Sequence, residues 1–510
     1  MLSSLWVVVR LLPTTPAKQL QRGMMLAIAA SLCGVHVACS CDRPGDPVTG
    51  KDEQTSAAEQ SETAMSVQGL GDQRVITVSY NDTSGNNGKI VYTPTQRTVF
   101  AGASMMGWSY STSGGNSWTY GGKVAPSQDW PILWGDPALT ASRTRANIAF
   151  LANLAVPKSK YPGPQGVIAT LNSNGFVSAV GGACIARSTD SGKSFALYQC
   201  VSRPSFDFYD GGSMAAGPNG DIYAAFLDYI TSQIDIWHSP DENGTFSMMS
   251  NPFPGQLAVN HPRLRVALDG TLYAATRNSS GDVIVNRFVN GNWGLPKAAC
   301  HNVLWYPLVT LSDRSLRTGP QFSFDVGAPS VIGNDEVRFV CTTRDPQTQR
   351  LFLEASFCRA DLSTGCLDAP GWSTSTQNSS GYRADQFNPL VEAFPGFFFG
   401  IPPIWKVSFL SRENDPGGNK VSVQQGNLAV LDDPVPANRK RIFLEFDFVT
   451  QQVVCPDNRG YWGDYDDLRV FEIKDGDAHF IRAETDSTAG CTKRWDTNSE
   501  QVHVSSRTTF

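Results

Sequence analysis

A chain of 510 residues, 41% hydrophobic and 17% charged, is long enough to bury a large core, as two to four domains or as one large repeat architecture. Its 46 glycines and 31 prolines argue against a helical protein and for short strands joined by turns. The formal net charge of −6 is spread along the chain without a basic block. That excludes nucleic acid as a partner class, because neutralising phosphates needs clustered Lys and Arg.

At the N-terminus, Arg10, Lys18 and Arg22 precede an apolar run from Met24 to Cys33, followed by Gly34-Val35-His36-Val37-Ala38-Cys39. A positive flank, a short apolar stretch and a small residue before the cut predict a signal peptide. The run is too short for a membrane span. A Cys directly after the small residue resembles the bacterial lipobox, so Cys39 is the expected lipidation site and the membrane an expected partner through the anchor. His36 stands where Leu is usual, which leaves ordinary cleavage and secretion as the alternative. Asp42 to Ala64 is polar and lacks aromatic residues, too little apolar surface to offset chain ordering. The expected organisation is therefore a signal peptide over 1–39, a flexible polar tether over 40–66 and one folded domain over 67–510. The expected location is the cell envelope, as an outer-membrane lipoprotein, or the exterior.

Eight cysteines lie in the folded part: Cys184, Cys200, Cys300, Cys341, Cys358, Cys366, Cys455 and Cys491. An even number in an exported chain predicts disulfides. Cys184–Cys200 and Cys358–Cys366 each flank a probable hairpin; Cys455–Cys491 and Cys300–Cys341 are weaker pairings. No CxxC pair or His-rich set supports a metal reading.

After Gln73, short β-branched and aromatic runs dominate and no long helical stripe occurs. A unit recurs at spacings of roughly 45 to 75 residues, the signature of a propeller or solenoid. Each unit opens with a short strand preceded by Asp, Gly or Pro: GDPALTA from Gly135, GGSMAAG from Gly211, HPRLRVA from His261, GAPSVIG from Gly327, FNPLVEA from Phe387, GDYDDLRV from Gly463. A more hydrophobic second strand follows, as in NIAFLANL and DIYAAFLDY. VITVSYND from Val75 has no clear opening strand before it. A third strand then enters a turn. Ser188-Thr189-Asp190-Ser191-Gly192-Lys193-Ser194-Phe195 fits the pattern S-x-D-x-G-x-[ST]-[WF]. Ser111 to Trp118 matches with Ser113 in the Asp position, and Ser239 to Phe246, carrying Asp241, matches with Asn243 for the first Gly. In such a turn a short acceptor caps backbone N–H groups, Gly takes the left-handed dihedral and the terminal aromatic packs into the blade.

On these motifs the chain resembles the BNR/Asp-box sialidase-like β-propeller superfamily, in an exported bacterial form, from about Gln73 to Phe510. The resemblance implies an all-β propeller of four-stranded blades. Seven second-strand segments favour seven blades, with six as the alternative, and ring closure would pair the N-terminal strand with the final blade. It also implies that the Asp boxes, with Asp190 and Asp241, are structural.

Propeller topology brings the starts of first strands and the ends of second strands to one face. Asp136, Asp210, His261, Asp385, Asp464 and Tyr465 are expected at the former, with Asp82, Asp228, Arg277, Arg344, Arg412 and Asp486 at the latter. Arginine forks grip carboxylate or sulfate, and close carboxylates raise one another's pKa. Sialidases use three arginines, an Asp acid and a Tyr nucleophile, so the resemblance points to Asp136, Asp464 and Tyr465 as catalytic candidates. Arg263, in HPRLRV, is the better placed of Arg263 and Arg265 to face the channel. The superfamily's [FY]RIP motif is missing, which leaves the first arginine unassigned. Asp457, Asp464, Asp466 and Asp467 are a candidate Ca²⁺ set of hard oxygen ligands without EF-hand spacing. Phe394 to Trp405 (FPGFFFGIPPIW) would stack on sugars or plug a loop. No P-loop, HExxH or GxSxG occurs. The leading expectation is binding of carbohydrate or another extracellular polymer at the channel face. A glycosidase-like hydrolase or lyase on that face, or an interaction scaffold, are the alternatives.

Overall fold

The computed structural model describes residues 46–47, 60–69 and, with interruptions, 74–508; the longer internal stretches outside the description are 170–180, 369–384, 395–403, 413–421, 450–466 and 488–499. The signal region with Cys39, the acidic residues Asp457, Asp464 and Asp466, Tyr465, and the cysteines Cys366, Cys455 and Cys491 therefore lie outside the described residues.

Among the described residues, seven antiparallel sheets, five of four strands and two of five, follow one another along the chain, with a three-stranded and a two-stranded sheet besides. Blade 1 runs Gln60–Gln68, Val75–Asp82, Met106–Ser111 and Thr119–Lys123. Blade 2 has Ala138–Ala141, Ala149–Val156, Gly182–Ser188 and Ala196–Val201. Blade 3 has Tyr209–Ala216, Ile222–Asp228, Gln233–Ser239 and Ser247–Met248. Blade 4 opens on Arg263–Val266, blade 5 on Phe322–Val326, blade 6 on Gln386–Phe394 and blade 7 on Asp467–Lys474. Each opening strand packs against that of the next blade, and the first packs against the seventh, so the opening strands close a ring around a central channel. This is the expected propeller of antiparallel four-stranded blades, with seven blade sheets among the described residues.

Two features correct the sequence reading. The opening strand of blade 1 is Gln60–Gln68, overlapping the end of the 40–66 stretch expected to be tether, and it pairs with VITVSYND along its length. Its polarity disguised it: Thr63, Ser66 and Gln68 are all buried, and Gln68 Nε2 donates to the Ile148 carbonyl of blade 2. The unit assigned to GAPSVIG opens instead on Phe322–Val326, just upstream. Closure follows the expected route, because Asp46 and Pro47 pair with Val504 and His503 and supply the outermost strand of blade 7.

The core lies between blades. In the second strand of blade 2, Phe150, Ala152, Leu154 and Val156 face blade 3, and Leu151 and Ala155 face blade 1. With both faces buried, a second strand needs apolar residues at every position, which is why these segments read as continuous hydrophobic runs. Side chains also stitch opening strands across blades. Ser213 Oγ accepts from Leu264 N at 2.9 Å, Ser323 Oγ from Val391 N at 3.1 Å, and Asp325 Oδ2 from Ala393 N at 2.7 Å. Arg265, expected near the channel, forms an ion pair with Asp325 of blade 5 at 3.1 Å.

The three repeated turns behave as their chemistry demands. Ser188 Oγ accepts from Gly192 N at 2.8 Å, and Asp190 accepts from Ser194 N and Oγ at 2.9 and 2.6 Å, with Gly192 at φ +81°. Burial alone would raise the Asp190 carboxyl, but these hydrogen bonds hold it below its ordinary value. In the first turn Ser111 Oγ takes Gly115 N, and Ser113 Oγ takes Ser117 N, both at 2.9 Å. Ser113 thus replaces the carboxylate. Asp241 Oδ1 accepts from Asn243 N at 2.6 Å. Phe195 meets Trp108 of blade 1 edge-on at 5.2 Å, and Phe246 meets Phe150 of blade 2 at 6.2 Å, so these two aromatics reach back to the preceding blade. Trp118 packs on Met65, Ile76, Val78 and Tyr80 of its own blade.

Two disulfides add covalent ties. Cys184 and Cys200 face each other on neighbouring strands of blade 2, and Cys300 joins blade 4 to Cys341 of blade 5. Cys358 is buried and disulfide-bonded too; its expected partner Cys366 lies outside the described residues. Among the described residues no helix is long and apolar enough to cross a membrane.

Phe246 is 4% exposed, whereas Asp241 is exposed. Phe246→Ala should therefore cost about 3–5 kcal/mol by guanidinium unfolding. Asp241→Ala should cost no more than about 1 kcal/mol, and equal effects would refute the back-packing role of the aromatic.

Candidate functional site

The channel face is shaped by backbone before side chains. Asp136, Gly211 and Asn388 open blades 2, 3 and 6 with φ of 56°, 56° and 54°. In blades 3 and 6 the sheet register shifts at this point, between Asp210 and Gly212 and between Phe387 and Leu390. A left-handed dihedral is free for Gly and tolerable for Asn and Asp, whose short side chains bond locally. The Asp, Gly and Asn before opening strands are therefore partly a backbone requirement.

At blades 2, 3 and 4 that backbone gathers a cluster. Asn81 of blade 1 holds Asp136, accepting from its N–H at 2.8 Å. Gly211 N donates to Asp136 Oδ2 at 3.1 Å and to Asp210 Oδ1 at 3.0 Å, so one N–H bridges two carboxyl groups. His261 Nε2 lies 3.4 Å from Asp210 Oδ2. Burial alone would raise the Asp210 carboxyl, but the charge of His261 and hydrogen bonds with His261, Asp136 and Tyr229 outweigh it and bring it to about 2. Tyr229 and Phe208, both half-buried, add a tilted ring pair with centroids 5.6 Å apart. Asp136, Asp210, His261, Tyr229 and Phe208 thus form one acidic and aromatic corner of the mouth.

The other expected ligand residues have different partners. Asp228 is 1% exposed and builds a turn: its Oδ1 accepts from Ile230 N at 3.0 Å and its Oδ2 from Thr231 Oγ1 at 2.7 Å. Arg277 donates from Nε to the Val303 carbonyl at 2.6 Å and from Nη1 to the Asn278 carbonyl at 3.3 Å, tying down a loop. Burial lowers its pKa against the opposing pull of Asp282. Asp385 and Arg412 pair with each other at 3.3 Å on blade 6, and Asp385 Oδ1 also accepts from Leu351 N of blade 5. Arg344 ends its strand exposed, and Arg263 is half-buried on the opening strand of blade 4. Asp82, fully buried, accepts from Tyr120 Oη at 2.8 Å. So the structure joins Asp136 to His261 through Asp210, keeps Asp385 with Arg412, and turns Asp228 and Arg277 to loop building.

Sequence reasoning missed the aromatic pair and the buried bridge beside it. Arg203, in the linker between blades 2 and 3, grips Asp235 with two nitrogens, and Tyr209 Oη donates to Asp235 Oδ2 at 2.9 Å. Burial pushes Asp235 up in spite of Arg203. A lone Asp between Ile234 and Ile236, in a strand whose faces are both buried, was the available signal. Among the described residues no group of three or more His, Cys, Asp or Glu is arranged to hold a metal ion; of the candidate Ca²⁺ set only Asp467 is described, in the opening strand of blade 7.

No family model and no curated protein matches the chain. Solved structures do resemble it. An intramolecular trans-sialidase from Ruminococcus gnavus, in complex with oseltamivir carboxylate, is 11% identical over 88% of this chain and 95% of that one, with a TM-score of 0.41. A leech intramolecular trans-sialidase is 11% identical over 91% and 70%, with a TM-score of 0.43. The Aleuria aurantia lectin, in complex with a methyl fucoside, is 12% identical over 79% and 99%, with a TM-score of 0.36. These neighbours share a broad fold likeness and transfer no residue role.

The depressed Asp210 carboxyl has a signed consequence. A carboxyl whose folded pKa lies below its unfolded value of 3.8 stabilises the fold above that value, and loses this contribution as pH falls towards 2. The stability gap between the wild type and Asp210→Asn, followed by thermal melts from pH 6 to pH 2, should be widest above about pH 4 and close towards pH 2. A gap that widens on acidification would overturn the assignment.

Proposed function

We propose that this chain is an exported, cell-envelope propeller of the Asp-box, sialidase-like kind that binds carbohydrate at its channel face, through the corner of blades 2 to 4. The carrying observation is the Asp136–Asp210 pair, joined by the Gly211 N–H, beside His261 and the Phe208–Tyr229 rings. Carboxylates accept from sugar hydroxyls, and aromatic rings stack on the C–H faces of pyranoses, so the two together suit a polyhydroxylated ligand.

The same pair argues for binding over hydrolysis. Glycosidases of the two-carboxylate type hold their acid and their nucleophile or base about 5–10 Å apart, so that the sugar fits between them. Asp136 and Asp210 are instead drawn together on the single Gly211 N–H. A hydrolase built on Asp136, Asp464 and Tyr465 is the competing reading, and one experiment separates the two. On a glycan array the wild type should retain sugars that Asp210→Ala and Tyr229→Ala lose by at least about tenfold, the weight of one good polar or stacking contact. Parallel assays on fluorogenic glycosides, a sialoside included, should release no product. Turnover that Asp136→Ala or an Asp464→Ala variant abolishes would replace binding by hydrolysis.

Two disulfides support an oxidising compartment, and export with acylation at Cys39 accounts for it. Expressed in a bacterial host, the wild type should sediment with membranes and Cys39→Ser should move to the soluble exported fraction. A wild type that is already soluble would leave secretion without an anchor.

A further inference from the structure

One residue away from each ring of the corner lies an ionic cluster whose charges do not balance. Arg203 donates from Nε to Asp235 Oδ2 at 2.6 Å and from Nη2 to Asp235 Oδ1, and its Nη1 stands 4.0 Å from Asp228 Oδ2. Tyr209 Oη donates to Asp235 Oδ2 at 2.9 Å, while its ring stacks on Phe226. Asp228 and Asp235 are both buried. Arg203, Tyr209 and Asp228 are the charged or titratable groups that face Asp235 among the described residues, so two carboxylates share one guanidinium. Burial, with the charge of Asp228 added, pushes the Asp235 carboxyl up against the pull of Arg203 and Tyr209. The cluster is tied to both rings. Tyr209 and Asp228 are partners in the sheet register, and their outward neighbours are Phe208 and Tyr229. Tyr229 N donates to the Phe208 carbonyl at 2.9 Å. Asp228 also builds the turn that carries Tyr229, accepting from Ile230 N and Thr231 Oγ1.

We propose that Asp235 is a proton-operated positioning residue: as a carboxylate it clamps Arg203 and holds the Phe208–Tyr229 pair in place, and on taking a proton it releases the pair and weakens carbohydrate binding. The inference rests on the carbohydrate-binding reading and supplies its regulation. Each group bonded to the Asp235 side chain is a donor: Arg203 Nε, Arg203 Nη2 and Tyr209 Oη. A carboxyl O–H fits among three donors only if one of them gives way, and of these only the Tyr209 hydroxyl can reverse from donor to acceptor. The proton therefore goes on Oδ2 and points at Tyr209 Oη. Arg203 then faces a neutral carboxyl on one side and the charged Asp228 on the other, and it moves towards Asp228. That movement loosens the linker that carries Phe208 and draws on the carboxylate that builds the turn of Tyr229. Because Asp235 is held above the ordinary carboxylate range, the release comes at milder acidity than an exposed Asp would give.

The test follows hydrogen exchange of the purified full chain by mass spectrometry from about pH 7 to about pH 4, corrected for the intrinsic pH dependence of exchange. A glycan array is read at both ends of the range. In the wild type the peptide carrying Tyr229 N should lose about tenfold in protection on acidification, the weight of one charge-assisted hydrogen bond, and the array signal should fall with it. The exchange response should persist in His261→Gln, which removes the histidine of the corner. Asp235→Asn, which keeps the shape without the charge, should exchange at the acid rate throughout. If that variant does not fold, Tyr209→Phe decides: it leaves the ring on Phe226 and takes one donor from the carboxylate, so the midpoint should move to higher pH. Protection that does not change with pH in the wild type, or a response that survives Asp235→Asn, overturns the switch and leaves the binding reading standing. A pH-dependent exchange with no glycan retained at either pH overturns the binding reading and leaves the clamp standing.

Discussion

The inner edge of each blade is the constraint from which the rest of this molecule follows. A four-stranded sheet standing on its edge presents backbone N–H and C=O groups along its innermost strand, and no fifth strand is there to pair them. In this chain the neighbouring blade supplies side chains instead: Ser213 to Leu264 N, Ser323 to Val391 N, Asp325 to Ala393 N, Asp136 to Gly211 N. Short hydroxyl and carboxyl groups reach across where a longer residue would hold the blades apart. Polar residues thus line the axis for a structural reason, and those near the mouth bond both within their own blade and to the next.

That dual use explains the electrostatics of the blade 2–4 corner. Asp136 and Asp210 each serve Gly211 N, and Asp210 also engages His261 and Tyr229. Three consecutive blades are joined through one carboxylate, held below its ordinary pKa by the charge of His261 and by the hydrogen bonds that converge on it. The same density of bonds fixes the corner's geometry.

Some of this was legible in the residues and some was not, for physical reasons. Second strands such as NIAFLANL and DIYAAFLDY announced themselves because burial on both faces demands an unbroken apolar run. The turns at Ser188 and Ser111 were legible because their hydrogen bonding is local and fixed by spacing. QSETAMSVQ was not, since an inner strand is selected for short polar side chains and close approach, which is also how a disordered tether is written. Asp228 shows the converse failure: an acid at the end of a second strand looks the same in sequence whether it meets a ligand or folds back on a turn. Tyr229 and Phe208 went unnoticed because aromatics near strand ends are ordinary packing residues, and only the bond of Tyr229 to Asp210, with Phe208 against its ring, distinguishes them.

The outermost strand of blade 7 is made by Asp46 and Pro47, which pair with Val504 and His503. The annulus therefore cannot be completed during synthesis until Val504 has been made, however early the first blades acquire structure. Joining such distant partners adds an entropic cost that rises only with the logarithm of the separation, but it makes the final step slow and dependent on both extremities. A polypeptide with this wiring leaves the outer edge of its seventh blade unpaired until both distant segments are present.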